Sequence, residues 1–152
     1  MDRYDQQILQ ALRDDGRMSW SSLAQHIHLS ASACQRRVEQ LLQRGVIERF
    51  TIKINDAALG HGVKAFVAVN VERNAPDSAL DFRNRIADHP MVQSVHMLAG
   101  NVDFLLEVLA ADIEAFGMFV DTELLTMPGV RDATSSIVLK QIKTHAPVIP
   151  GG

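Results

Sequence analysis

Residues 19–45 read SWSSLAQHIHLSASACQRRVEQLLQRG, two short amphipathic patterns with almost nothing between them. Trp20, Leu23, Ala24 and Ile27 recur at steps of three, four and seven, the spacing of one buried helix face, and Ser19 is a favourable N-cap for them. His28 and Leu29 are all that is left for a turn. Ser30 then caps a further helix with Cys34, Val38, Leu41 and Leu42 inward, and Gly45 ends it in a left-handed position that glycine takes without steric cost. A tight pair of this kind, its second helix carrying Gln35, Arg36 and Arg37, predicts a helix-turn-helix.

Working upstream, Tyr4, Ile8, Ala11 and Leu12 repeat at helical spacing. Acidic residues open that pattern and Gly16 can stop it, so a first helix is expected over about 2–15. Stepping about 100° per residue from Cys34 puts Ser32, Arg36, Gln40 and Gln43 on the outward face of the third helix, with Gln35 and Arg37 flanking. These side chains suit a duplex, because arginine pairs two donors with guanine, glutamine reads adenine and serine bonds bases or phosphates. Ser32, Gln35, Arg36 and Gln40 are the expected base readers. Ser30, Arg37, Arg44, Arg49 and Lys53 are the expected phosphate contacts. A plain three-helix bundle with a solvated polar face is the competing reading. The short turn and the basic, wing-like segment that follows weigh against it.

Downstream of Gly45 the period changes. VIERFTIKI (46–54) alternates and is rich in β-branched residues, which predicts a small strand pair or wing. Gly60 and Gly62 loosen the chain, so the expected organisation is a domain over 1–53, a linker over 54–63, a second domain over 64–143 and a tail over 144–152. Within the second domain a strand from Lys64, with Ala65, Val67, Val69 and Val71 on one face, is broken by Pro76. A helix from Asp77 or Ser78 carries Leu80, Phe82, Ile86 and Ala87 inward. Strands over 91–98 and 102–110 follow, joined by Ala99-Gly100-Asn101. Asp112 caps a helix with Ile113, Phe116, Val120, Leu124 and Met127 on one stripe, and a last strand covers 131–143. The order β-α-β-β-α-β is the ferredoxin-like plait, an α+β architecture with helices on one sheet face and the other face in need of a partner.

Composition allows this reading. The 152 residues carry a net charge of −3, but residues 1–53 hold eight Lys/Arg against six Asp/Glu, whereas the rest hold seven against twelve. Phosphate attraction acts over roughly 8–10 Å, so a locally basic segment suffices. The sequence has no run of about 18 apolar residues and a polar N-terminus, so neither a membrane span nor a secretory signal is expected. A single cysteine fits a reducing compartment, and the cytoplasm is the expected location. Cys34 falls inward as a structural thiol. The six histidines lack ligand spacing, so no metal site is expected, and Met91, Met97, Met118 and Met127 read as core filling. No phosphate loop, nucleophile elbow or paired carboxylates emerge, and the chain is not expected to be an enzyme.

Three motifs in the first half then acquire a meaning together: D-x-x-D-x-x-I-L from Asp2, L-S-x-x-x-C-x-x-R-V-x-x-L from Leu29, and Gly45-Val46-Ile47. With NAPD (74–77), AGNVDFLL (99–106) and MPGV-x-D (127–132) in the second half, the sequence resembles the Lrp/AsnC (leucine-responsive, feast/famine) transcription regulators from Asp2 to about Lys143. The resemblance implies a winged or wing-like helix-turn-helix joined to an ACT-like (RAM) βαββαβ domain. It also implies a homodimer through the sheets, often assembled to an octamer, with recognition helices about one helical turn apart, roughly 34–36 Å. It further implies a small effector, usually an amino acid, and no other cofactor. Carried onto this chain, the effector loop is Ala99, Gly100, Asn101, Val102 and Asp103, flanked by Met97, Leu98 and Phe104, with Thr134, Ser135 and Ser136 lining the same cleft. Two positions depart from the family pattern: Asn101 stands where aspartate is usual, and His28 where glycine is usual. The expected function is therefore an effector-modulated, sequence-specific regulator bound to double-stranded DNA. A chromatin-like architectural protein that wraps DNA with weak sequence preference is the alternative.

Overall fold

The computed structural model describes residues 1–72 and 76–143, so the expected tail over 144–152 lies outside the described residues. The chain forms two compact units, Met1–Lys53 and Ile54–Ile142, each with its own core.

The first unit is α1 (Arg3–Asp14), α2 (Trp20–Ile27) and α3 (Ala31–Gln43). Each helix starts where its sequence supplies a cap. Asp2 caps α1 in a reciprocal capping box with Asp5, Ser19 accepts the Ser22 N–H, and Ser30 accepts the Ala33 N–H. Ile8, Ala11, Leu23, Ala24, Ile27, Cys34, Val38 and Leu41 are buried together. Each large aliphatic side chain among them contributes about 1.5–3 kcal/mol of transfer free energy. Tyr4, Trp20 and Leu42, expected inward, sit instead at the exposed rim. His28 closes α2 with φ 59° and ψ 45°, the left-handed conformation in which histidine replaces the usual glycine. Gly45 has φ 67° and turns the chain so that the N–H groups of Val46 and Ile47 both reach the Leu41 carbonyl, folding Ile47 back against the core.

The expected wing does not form. Residues 46–55 contain no strand, and Phe50, Ile52 and Ile54 are exposed. VIERFTIKI has the alternation of a strand but no Gly, Asn or Asp at which to reverse, and its two halves do not pair as strands.

The second unit contains a 3-10 turn (Asp56–Leu59), β1 (Val63–Val71), α4 (Pro76–Ala87), β2 (Val92–Met97), β3 (Phe104–Ala110), α5 (Ile113–Met118) and β4 (Val130–Ile137). The antiparallel sheet has the order β2-β3-β1-β4. α4 begins at Pro76, the first-turn position where a missing N–H costs nothing, slightly ahead of the expected Asp77 or Ser78. Ala65, Val67, Val69 and Val71 on β1 and Phe104, Leu106, Val108 and Ala110 on β3 pack with Phe82 and Ile86 of α4 and Phe116 of α5. Leu80 and Ala87, expected inward, are exposed.

α5 is not the straight helix its spacing suggested. It continues over Phe119–Leu124 as a π-helix, in which the Leu125 N–H bonds the Val120 carbonyl. Phe119 is buried there and Val120 packs half-buried against the same core, whereas Ile113, expected inward, is exposed at the start of α5. Met97 and Met118, expected as core filling, are exposed as well; Met91 and Met127 are half-buried against the core.

Candidate nucleic-acid interface

Burial of Cys34, Val38 and Leu41 fixes the rotation of α3 and therefore which side chains face outward. Ser32, Gln35, Arg36 and Gln40 are all exposed. Ser30 Oγ lies 3.2 Å from Ser32 Oγ, so the helix start offers two linked hydroxyls. Arg36 makes no hydrogen bond or ion pair among the described residues and projects with its full donor set available. Arg44, Arg49 and Lys53 are likewise exposed cations without an ion pair among the described residues.

Besides the linked serines, two of the expected contacts are engaged within the protein. Gln35 Nε2 donates to Glu39 Oε1 at 3.0 Å, one turn away. Glu39 thus sets a carboxylate on the outward face, a group able to accept from cytosine that was not among the expected base readers. Its position four residues after Gln35 was the available signal.

Arg37, expected at a phosphate, is committed elsewhere. Its Nη1 donates to Asp2 Oδ2 at 2.9 Å and to Asp5 Oδ1 at 2.7 Å, and its guanidinium carbon lies 5.4 Å from the centre of the Tyr4 ring. The bonds to Asp5 and then Asp2 raise the arginine pKa. The Asp2 carboxyl is held below its ordinary value, first by the Asp5 N–H and then, against the opposing effect of burial, by Arg37. Beneath them Cys34 is fully buried, and loss of solvent pushes its thiol pKa up.

In the second unit the Leu98 N–H donates to the Asp103 carbonyl at 2.9 Å and closes the loop between β2 and β3. Ala99, Gly100 and Asn101 are exposed, Gly100 at φ 154°, and Met97 and Leu98 present apolar surface beside them. Asp103 is half-buried. Its carboxylate accepts the Val71 N–H at 3.0 Å, its own N–H donates to Asn70 Oδ1, and Asn70 Nδ2 donates to Asp132 Oδ1 at 2.8 Å. Neither Asn70 nor Asp132 was singled out in the sequence, because residues 33 and 62 positions apart carry no local pattern.

Two expected effector contacts face away from this loop surface. Phe104 is buried with its ring 5.2 Å from that of Phe82, a core residue. Ser135 pairs with Val67 and therefore lies on the helix-covered side, whereas Thr134 and Ser136 pair with Ala68 and Phe66 on the open side. Strand alternation allows only the latter two to share a surface.

A family model described as the AsnC-type helix-turn-helix domain matches residues 1–42, and one described as the Lrp/AsnC ligand binding domain matches residues 64–148. The chain is 35% identical over 142 residues to the Bkd operon transcriptional regulator of Pseudomonas aeruginosa, covering 93% of each chain. It is 32% identical over 143 residues to the leucine-responsive regulatory protein of Escherichia coli, covering 94% of this chain and 87% of that one. Among solved structures it is similar to a transcriptional regulator from Neisseria meningitidis in complex with L-methionine, with a TM-score of 0.92 and 36% identity over 99% of this chain and 96% of that one.

Proposed function

The chain belongs to the Lrp/AsnC family of transcription regulators, and from that premise we propose that it reads a specific DNA sequence as an oligomer whose activity a small effector, an amino acid, controls. It is a regulator with a helix-turn-helix and a ligand-binding domain, and the family is not one of enzymes. The observation that carries the DNA reading is Arg36: exposed, without an ion pair among the described residues, and directed outward by the burial of Cys34 and Val38 on the same helix. Ser32, Gln35 and Gln40 complete the base-reading face, and Arg44, Arg49 and Lys53 supply phosphate contacts.

The open face of the sheet, with Phe66 39% exposed at its centre, suits a second copy of the chain, and pairing of two copies makes the homodimer from which an octamer is assembled. The effector sits at the loop over 98–102, where backbone N–H groups meet a carboxylate and Met97 and Leu98 meet a side chain. The L-methionine bound by the Neisseria regulator supports that ligand class. The cytoplasm is the location that goes with this reading.

The test is binding to a duplex selected from random sequences, at fixed salt, with each amino acid added in turn. Arg36→Ala is expected to lose about 1–3 kcal/mol of discrimination between the selected duplex and an unrelated one. Uniform affinity of the unaltered protein for all duplexes, falling steeply with salt, would instead identify an architectural DNA-wrapping role.

A further inference from the structure

On the reading of α3 as the DNA-reading helix, we infer that Arg37 is a positioning residue and not a DNA contact: by bonding Asp2 and Asp5 together it fixes the angle at which α3 presents Arg36 and its neighbours.

The four oxygens of the two carboxylates are all used. Asp2 Oδ1 accepts the Asp5 N–H, Asp5 Oδ2 accepts the Asp2 N–H, and Arg37 Nη1 takes Asp2 Oδ2 and Asp5 Oδ1. The N-terminal turn of α1 is thus a preformed socket, built by residues only three apart, into which a side chain of α3 is plugged. The Asp5 side chain is 10% exposed and that of Arg37 24%, so solvent screens these bonds less than it would on the open surface.

Apart from the Arg37 guanidinium over the Tyr4 ring, the rest of the attachment between these helices is apolar among the described residues. Ile8, Ala11, Cys34, Val38 and Leu41 set the separation of α1 and α3, but hydrophobic contact has no preferred direction. Charge-assisted hydrogen bonds at 2.7 and 2.9 Å do have one. Arg37 lies immediately after Arg36, so a change in the rotation of α3 at this point moves Arg36, Ser32 and Gln40 together.

Electrostatics oppose the phosphate role for Arg37. The cluster contains one positive and two negative groups. A phosphate approaching it meets a net negative charge, partly offset by the helix N-terminus. Arg44, Arg49 and Lys53 have no such companions among the described residues.

The test uses the full chain, a duplex selected from random sequences and an unrelated duplex of the same length, with affinity followed against salt. Arg37→Met is expected to lower the ratio of the two affinities about tenfold, a coupling usual within one hydrogen-bond network. The log–log salt slope stays unchanged. Asp2→Asn, which keeps an N-cap acceptor but removes one anionic leg, lowers the ratio less, again at constant slope. If Arg37→Met fails to fold, Asp2→Asn and Arg37→Lys carry the same test. A slope that falls by about 0.9 in Arg37→Met, or rises in Asp2→Asn as the arginine is released to a phosphate, overturns the inference. So does an unchanged ratio in both variants. An unaltered chain that enriches no sequence overturns the DNA-reading premise and the inference with it, whereas failure of the variants alone leaves that premise standing.

Discussion

The Asp103 carboxylate accepts the backbone N–H of Val71 at 3.0 Å, so the residue just before β3 also holds the last residue of β1. Asp103→Ala is therefore expected to lower the stability of the second unit by about 1–3 kcal/mol, the usual cost of a half-buried charge-assisted bond. Asp103→Asn, which keeps an acceptor oxygen, should lose less. Urea unfolding followed by circular dichroism measures both, and an alanine variant as stable as the parent would rule out this structural role.

The socket of α1 makes an acid-sensitive contribution. The Asp2 pKa is depressed from 3.8, first by the Asp5 N–H and then, against burial, by Arg37. A carboxyl with a depressed folded-state pKa stabilises the fold above its unfolded value, and that contribution disappears as pH falls through the folded value. Asp132, held down by Arg131 and Asn70, acts in the same direction in the second unit. Stability should thus decline as pH drops below about 4, and Asp2→Asn should flatten that decline for the first unit. Urea midpoints taken between neutral pH and pH 3 check it; equal slopes in parent and variant would contradict it.

Separate cores predict separable unfolding. Ile8 is fully buried in the small three-helix unit, and Ile8→Ala should cost about 2–4 kcal/mol there. Trp20 is the only tryptophan, so its fluorescence reports on the first unit alone while circular dichroism reports on both. In Ile8→Ala the fluorescence transition should move to lower urea and leave a later dichroism transition in place. A single coincident transition in the variant would mean that the units unfold as one.

His28 sits at φ 59°, where a side chain is strained. His28→Gly removes that strain at some cost in unfolded-chain entropy, and a net gain of about 0.5–1 kcal/mol is expected. The urea midpoint of the first unit measures it, and a lower midpoint would mean that the imidazole makes a compensating contact.

Local signals carried well into the structure. Ser19, Ser30 and Gly45 mark helix ends because a cap acts on backbone within three residues of itself, and the buried faces of α2 and α3 follow from their spacing. The four strands and their order of appearance were legible for the same reason. What was hidden depends on distant partners. Alternation in residues 46–54 suggested strands, yet nothing nearby supplies a partner. The regular stripe on α5 concealed the π-turn at Phe119, since Phe116, Val120 and Leu124 also fit the four-residue spacing of an ordinary helix. At the candidate sites, Arg36 was placed by helical geometry, but the engagement of Arg37 by Asp2 and Asp5 spans 35 and 32 positions and could be seen only in the fold.

The single thiol offers a last consequence. Cys34 is sealed in the core of the three helices with its pKa raised by burial, so the reactive thiolate is scarce while those helices remain closed. Alkylation then proceeds at the frequency with which the helices part, and a thiol reagent becomes a clock for breathing of the DNA-reading unit alone, undisturbed by events in the sheet.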